Sequence, residues 1–293
     1  MPALGTHVMQ AKRCFDELEP KVQIDKDFVG ASAISHDTVG LIPGGCTRVF
    51  IDAHEKKTDE YFLTLIQYIK ENGQRENPNA MAFLYGQIMH YALDTSTHPL
   101  IYYMTECHPA KFLGKAVAAH ALFETWYDVR GEEIEKQKAG EAFNPKYCFV
   151  KKVCEGGIDL MIDTVYEAVY GEKDIAKGYK TGIKLWEIFQ IRLRRMILNS
   201  VKGYFSDFEG MLNADGSYFL HPVTNVRLNT TFEQAYERSV PLACELVALA
   251  DGSIYGGAAN EDTLRAGFGN SYDTGVDWRL PDPKRYFLGY AKK

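Results

Sequence analysis

Apolar residues recur every three or four positions along most of the chain, a spacing that predicts amphipathic helices. The segment from about residue 58 to residue 71 shows this pattern clearly. Its apolar stripe consists of Tyr61, Phe62, Leu65, Ile66 and Ile69. Asp59 and Glu60 suit the first turn, because acidic side chains are favoured near the positive end of a helix. The pattern therefore predicts one buried and one solvated face for this helix.

Start signals predict further helices on both sides of this one. Thr6 is expected to cap a first helix that begins at His7. Asn77 and Pro78 mark the start of another, because proline is favoured at the first helical position. The remaining predicted helices cover residues 116–128, 147–170, 175–212 and 231 to about 249, the last with a capping box formed by Thr230 and Glu233.

The segments between these helices are rich in turn-forming residues. Residues 20–46 are predicted to be irregular, which places His36 and Asp37 on a loop. Residues 132–146 are predicted to be a solvated connection, and residues 213–229 and the last 40 residues are predicted to be irregular. No strand with alternating apolar and polar residues is convincing. The expected fold is all-α, a single-domain multi-helix bundle over residues 1–293.

The composition narrows the class of protein without changing this fold. With 46% hydrophobic and 25% charged residues, the sequence is typical of a globular protein. A formal net charge of -6 argues against nucleic acid as a partner but does not exclude it. We find no export signal and no apolar run long enough for a membrane span. The six cysteines lack CxxC spacing, so we expect a cytoplasmic protein with reduced thiols.

Two of the predicted helical segments carry side chains of the types that bind divalent metals. His90, Asp94 and His98 are spaced four residues apart, and so are His120 and Glu124. Residues four apart lie on one face of a helix, so each segment is expected to present its ligands together. Packed against each other, the two faces would form a polar pocket for more than one divalent cation.

Three further candidate ligands, His7, Asp37 and His54, lie upstream of these helices. Zinc chemistry on phosphoesters needs imidazole and carboxylate ligands, an open position for water and preferably two or more ions. Asp94 lies between two histidines on its face and is the best candidate for a bridging carboxylate, which would hold two ions about 4 Å apart. The sequence thus predicts a multinuclear zinc site.

Several other residues are given supporting roles. Asp128 continues the second face by one turn and is expected to support a ligating histidine. Gly86, one turn before His90, is expected to leave room for a neighbouring element or for metal. The histidines expected to be hydrogen-bonded structural residues are His36, His108 and His221. The arginines expected to form a solvated face are Arg192, Arg194 and Arg195.

In these residues the chain resembles a known family. The order His7, Asp37, His54, then HYALDTSTHP, then HALFE is similar to the bacterial zinc-dependent phospholipase C family, which shares a superfamily with the fungal zinc nucleases. The motif resemblance spans about residues 1–130, and the helical remainder is compatible with it. It implies an all-α fold with up to three zinc ions.

The resemblance also implies which residues hold each ion. One zinc would be bound by Asp37, His54, His90 and Asp94, a second by His98, His120 and Glu124, and a third by His7 and the shared Asp94. Asp37 would also position or deprotonate the attacking water, which makes it the candidate catalytic residue. The substrate phosphate would bridge the three ions.

Two features depart from the family pattern. Secreted members begin, after processing, with a tryptophan whose amine and carbonyl complete the third zinc site, and this chain has none there. We hypothesise that the amine of Pro2 takes this role after removal of Met1; the alternative is a weak or empty third site. His36, beside Asp37, is an alternative ligand or an alternative donor to the substrate, although the family order favours Asp37.

The expected function is zinc-dependent hydrolysis of phosphodiesters of the phospholipase C type. A phospholipid would be cleaved to diacylglycerol and a phosphorylated headgroup, with transient contact to a membrane surface. A single-strand nuclease-like phosphodiesterase is an alternative, because the fungal nucleases share the ligand order and fold. A further alternative is a catalytically silent metal-binding protein that keeps the ligands without turnover.

Overall fold

The computed structural model describes residues 4–39, 47–107, 116–137, 151–153, 157–188 and 212–280. These residues are mostly helical, as the all-α prediction requires. The helices are α1 (Leu4–Asp16), α2 (Lys26–Ala33), α3 (Ser35–Thr38), α4 (Thr47–Glu55), α5 (Thr58–Glu71), α6 (Pro78–Cys107), α7 (Ala116–Glu135), α8 (Ile158–Tyr170), α9 (Ile175–Ile188), α10 (Phe232–Ile254) and α11 (Glu261–Phe268). A short 3-10 helix covers Gln74–Glu76.

Helix α6 lies at the centre of the fold. Every residue from Ala80 to Thr95 is buried, because α1, α2 and α10 all pack against this helix. A helix that is apolar on all sides is typical of such a central position. The two candidate ligands His90 and Asp94 therefore project from the most enclosed element of the chain.

Gly86 lets α2 approach α6 closely. A Cβ atom at this position would lie 2.5 Å from the Cβ of Ser32 and 2.6 Å from the carbonyl oxygen of Val29. The room that the sequence predicts at Gly86 is thus used by a neighbouring helix. As a result, the carbonyl of Ala33 reaches the His90 ring one turn further along α6.

Helix α6 continues through Pro99. Since proline has no backbone N–H, the carbonyl of Thr95 receives no helical hydrogen bond from that residue. Gly275, with φ +67°, packs at this point, and a Cβ there would overlap the Thr95 carbonyl oxygen. Gly275 belongs to residues 270–277, which are closed by an antiparallel bridge between Asn270 and Asp277. We call this segment the 270–277 loop.

Asp59, a buried carboxylate on α5, holds the residues that follow the 270–277 loop. Asp59 is fully buried and accepts a 2.8 Å hydrogen bond from the indole N–H of Trp278. Its other oxygen accepts from Arg265 at 3.1 Å and from Arg279. These contacts tie the segment that follows the 270–277 loop to α5.

A two-stranded hairpin was not expected from the sequence. Strand β1 (Phe219–Leu220) pairs antiparallel with β2 (Arg227–Leu228). The strands are only two residues long, too short for an alternating pattern to be visible. No alternating strand pattern was convincing in the sequence, so this hairpin was not predicted.

The segment predicted as irregular between residues 20 and 46 contains α2 and α3, so that prediction is wrong in its described part. Asp25 caps α2 by accepting from the backbone N–H groups of Asp27 and Phe28. Phe28 and Val29 are then buried against the core. His36 and Asp37 lie on the short helix α3 rather than on a loop.

Three predicted helix boundaries also need correction. Helix α1 begins at Leu4, not at His7, so Thr6 lies inside the helix. The capping box of α10 is formed by Thr231 and Gln234, one residue later than predicted, and the helix extends to Ile254. The last 40 residues are not all irregular, because α11 is capped by Asn260.

Other predictions agree with the described residues or lie outside them. Helix α5 spans the predicted residues and buries the predicted stripe, and α6 starts at Pro78 as expected. Helix α7 continues to Glu135, so the predicted connection from residue 132 starts too early. Cys14 and Cys244 are free thiols. Among the described residues, none of the helices has the length and apolar character needed to cross a membrane. The residues outside the described ranges include Pro2, His108, Arg192, Arg194 and Arg195.

Candidate metal centre

Four buried side chains from three helices converge at one point. They are Asp37 on α3, His54 on α4, and His90 and Asp94 on α6, and their ligand atoms all lie within 4.8 Å of one another. His54 Nε2 is 2.9 Å from Asp37 Oδ1, and His90 Nε2 is 3.1 Å from Asp94 Oδ2. These are the same four residues that the family resemblance assigns to one ion.

His7 joins this cluster from α1. Its Nε2 lies 3.1 Å from Asp94 Oδ1 and 3.8 Å from Asp37 Oδ2, and its ring stacks on His90 at a centroid distance of 4.2 Å. The first turn of α1 is held by Asp128, whose Oδ1 accepts from both the backbone N–H (2.6 Å) and the hydroxyl (2.8 Å) of Thr6. Asp128 thus positions the helix that carries His7, a partner that the sequence did not suggest.

His98 and Glu124 form a second group beside the first. His98 Nε2 is 3.3 Å from Glu124 Oε1 and 3.7 Å from Asp94 Oδ1. One oxygen of Asp94 therefore faces His7 and His98, while the other faces His90. This is the arrangement expected of a bridging carboxylate. His120 is on α7 with Glu124, but its side chain lies outside the described residues.

Backbone carbonyls orient the imidazoles in this centre. The Nδ1 atoms of His54 and His90 each lie 2.7 Å from a carbonyl, of Phe50 and Ala33 respectively. His98 Nδ1 lies 3.0 Å from the carbonyl of Tyr272. Because a neutral imidazole has only one N–H, donation from Nδ1 leaves the lone pair on Nε2. Each Nε2 is therefore prepared to bind a cation.

The charges of the cluster shift its pKa values. Burial lowers the pKa of His54, but the hydrogen bond and charge of Asp37 outweigh it and raise this pKa to about 9. Burial likewise opposes protonation of His98, whose pKa rises to about 10 because of Asp94 and Glu124. Burial disfavours the Asp94 carboxylate, yet the surrounding histidines hold its pKa well below the usual range. The carboxylates thus attract cations, and protons and metal ions compete for the same nitrogens.

The hydrogen-bonding pattern fits a metal ion. Among the described residues, Asp37 Oδ2, His90 Nε2 and Asp94 Oδ2 are buried without a hydrogen-bond partner, although each lies within 4 Å of an imidazole nitrogen or a carboxylate oxygen of the cluster. Buried polar atoms are normally hydrogen-bonded. Imidazole nitrogens and carboxylate oxygens facing a common point are also the donor set that zinc prefers.

Comparison with protein families gives this centre a context. A family model described as zinc dependent phospholipase C matches residues 6–168, which is more than half of the 293 residues. The chain belongs to the zinc-dependent phospholipase C family. A search of curated proteins and a search of solved structures each found no match.

Membership of the zinc-dependent phospholipase C family agrees with the resemblance seen in the motifs. The matched region contains all eight candidate ligands named from the sequence. The structure brings seven of them together, namely His7, Asp37, His54, His90, Asp94, His98 and Glu124. The eighth, His120, lies on the helix predicted for it.

His36 lies beside Asp37 and makes contacts of its own. Its Nδ1 lies 3.1 Å from Gln87 Oε1 and 3.0 Å from the Tyr166 hydroxyl, and burial together with nearby histidines lowers its pKa well below the usual value. Its Nδ1 is hydrogen-bonded, as expected for a structural histidine, whereas its Nε2 has no hydrogen-bond partner among the described residues. His221 is also hydrogen-bonded, since its Nε2 lies 2.8 Å from the carbonyl of Thr274.

The sequence did not indicate the contribution of the 270–277 loop. Tyr272 lies against the metal centre through its backbone and ring, and Asp273 Oδ1 is 3.7 Å from His98 Nδ1. The Tyr102 hydroxyl donates to the same Asp273 oxygen at 2.7 Å. Both residues lie in a segment that the sequence predicts as irregular, far from the candidate ligands in the chain, so only the folded chain shows that they belong to the site.

Proposed function

We propose that this protein is a zinc-dependent phosphodiesterase that cleaves phospholipids in the manner of a phospholipase C. The observation that carries this proposal is the buried convergence of Asp37, His54, His90 and Asp94 in a member of that family. Zinc in such a site supplies an activated water and positive charge for the phosphoryl oxygens. His7, His98, His120 and Glu124 complete our proposed set of ligands, for up to three ions.

In the proposed reaction Asp37 orients the attacking water. The water oxygen forms a bond to phosphorus and the bond between phosphorus and the glycerol oxygen breaks. Asp37 takes a proton from the water and passes it to the departing glycerol oxygen, which gives diacylglycerol and leaves Asp37 ionised again. Asp37 suits this role because its Oδ2 is buried and accepts no hydrogen bond from the described residues.

The proposed function predicts selective turnover of phospholipid. We expect the zinc-loaded protein to release phosphorylated headgroup from phosphatidylcholine vesicles, and to release no nucleotides from single-stranded DNA. A chelator should abolish the release and added zinc should restore it, because the ligands act through the bound ion. Headgroup release can be measured by phosphorus NMR.

Two results would contradict this assignment. Faster hydrolysis of single-stranded DNA than of phosphatidylcholine would favour the nuclease-like alternative. Zinc bound without turnover of either substrate would favour a metal-binding protein that lacks activity.

We also propose that the β1–β2 hairpin contacts the membrane that holds the substrate. Tyr218, Leu220 and Val226 are 54%, 45% and 56% exposed, and the Arg227 guanidinium lies 3.5 Å from the centroid of the Tyr218 ring. Residues 216–229 contain no acidic side chain. Exposed apolar side chains next to an aromatic ring and a cation suit a lipid interface. His221 links this hairpin to the 270–277 loop through Thr274.

This second proposal predicts that a Leu220→Asp/Val226→Asp variant loses activity on vesicles but not on a soluble phosphodiester. Each lost apolar contact is worth roughly 1.5–3 kcal/mol when fully buried, so we expect the rate on vesicles to fall about tenfold or more. Leu160→Asp, at a 66% exposed position on α8, is the matched control and should behave like the wild type. An equal loss on both substrates would contradict a membrane role for the hairpin.

A further inference from the structure

The 270–277 loop is hydrogen-bonded to two candidate metal ligands. The N–H of Tyr272 donates to the carbonyl of His54 at 3.0 Å, and the carbonyl of Tyr272 lies 3.0 Å from His98 Nδ1. The Ser271 hydroxyl donates to the same His54 carbonyl at 3.2 Å. The backbone of Tyr272 is therefore fixed between His54 and His98, although it lies outside the region matched by the family model.

The Tyr272 ring is enclosed by the histidines of the centre. It stacks on His36 at a centroid distance of 5.2 Å, and its centroid lies 5.3 Å from that of His54 and 5.4 Å from that of His90. Only 1% of the residue is exposed. Such an aromatic ring forms an apolar wall next to the charged ligands.

The hydroxyl of Tyr272 is the unusual part of this side chain. It has no hydrogen-bond partner among the described residues, whereas a buried tyrosine hydroxyl usually has one. Phenylalanine would provide the same wall without a buried polar atom. The ring that carries this neutral donor packs against His36, His54 and His90, and the proposed substrate of the centre carries an anionic phosphoryl group.

We propose that the Tyr272 hydroxyl donates a hydrogen bond to a phosphoryl oxygen of the substrate held at the metal centre. This inference rests on the proposed phosphodiesterase function and adds a substrate-binding residue to it. Hydrogen bonds to charged acceptors in enclosed sites are stronger than neutral ones. A donor fixed by the His54 and His98 contacts would also be in place before the substrate arrives.

The test compares phosphate binding by the wild type and by Tyr272→Phe, both loaded with zinc. Inorganic phosphate is the probe, and its dissociation constant is measured by isothermal titration calorimetry. The variant keeps the ring and both backbone hydrogen bonds, so its zinc content and melting temperature should match the wild type. We expect phosphate to bind roughly tenfold to a hundredfold more weakly, as for loss of one hydrogen bond to a charged group.

Tyr91→Phe is the matched control. The Tyr91 ring lies 5.0 Å from that of Tyr272, and its hydroxyl accepts a 2.9 Å hydrogen bond from the backbone N–H of Asn270. This variant therefore also removes a hydroxyl next to the 270–277 loop. We expect a lower melting temperature, with phosphate affinity unchanged.

Three results would overturn the assignment of Tyr272. They are wild-type phosphate affinity in Tyr272→Phe, loss of zinc from that variant, and an equal loss of phosphate affinity in Tyr91→Phe. The proposed function is tested separately, by turnover. Weaker phosphate binding in Tyr272→Phe would support the contact even if the wild type hydrolysed no phosphodiester, and in that case only the function would fail.

Discussion

An Asp94→Asn variant is expected to bind at least one zinc ion fewer per chain than the wild type and to lose phosphodiesterase activity by about a thousandfold or more. Asp94 holds the central position among the candidate ligands. Its Oδ1 is 3.1 Å from His7 Nε2 and 3.7 Å from His98 Nε2, and its Oδ2 is 3.1 Å from His90 Nε2. No other described carboxylate contacts imidazoles from both proposed groups of ligands in this way.

The physical reason for the large effect is the loss of charge. Asparagine keeps the size of the side chain but places a neutral amide among three buried imidazoles. A buried cation that loses its anionic ligand is left without compensation. The isosteric replacement therefore removes one anionic ligand without opening a cavity in α6.

Zinc per chain can be measured by mass spectrometry of metals after dialysis, and activity can be measured in excess zinc. The matched control is Asp163→Asn on α8. Asp163 accepts a 2.8 Å hydrogen bond from the backbone N–H of Ala176, which an asparagine oxygen can also accept. This control should keep wild-type zinc content and activity. Full zinc occupancy in Asp94→Asn would show that Asp94 does not bridge the two groups.

A Gly86→Ala variant is expected to be destabilised by about 3 kcal/mol or more, because overpacking against backbone atoms cannot be relieved by a side-chain rotation. The added methyl group would lie 2.5 Å from the Cβ of Ser32 and 2.8 Å from the backbone nitrogen of Ala33. Helix α2 would have to move away from α6. The Ala33 carbonyl would move with it and weaken its 2.7 Å contact with His90 Nδ1.

Thermal unfolding measures the first effect, and zinc titration measures the second. We expect the melting temperature to fall by about 6–12 °C and the zinc affinity to fall about tenfold or more, as for loss of an orienting contact. Gly252→Ala on α10 is the matched control. A Cβ there would lie 3.4 Å from that of Ala259, so alanine should be neutral or stabilising by up to about 1 kcal/mol. Equal melting temperatures for both variants would contradict close packing at Gly86.

The sequence predicted those features of the fold that depend on neighbouring residues. The spacing of apolar residues located α5, and the Asn77–Pro78 pair located the start of α6. Short helices such as α3 were missed because they contain too few turns to show a periodic pattern of apolar residues. The hairpin was missed for the same reason, since its strands are two residues long.

The part of the candidate site that could be predicted is the part set by the spacing of ligands within one helix. The four-residue intervals in His90, Asp94 and His98 placed these ligands on one helix face, and the structure has them there. The contacts that orient the ligands were not predictable, because they are backbone carbonyls such as that of Ala33. Because every residue has a backbone carbonyl, the residue type does not reveal which carbonyl contacts a histidine.

The contact between Tyr272 and His98 has a consequence for the order of assembly. The region matched by the family model ends at residue 168. The carbonyl that orients His98 belongs to Tyr272, which follows His98 by 174 residues in the chain. During synthesis on the ribosome, the candidate ligands are therefore made long before the carbonyl that orients His98. A nascent chain that stops before Tyr272 lacks the carbonyl that orients His98. We therefore expect stable zinc uptake only after nearly the whole polypeptide has been synthesised.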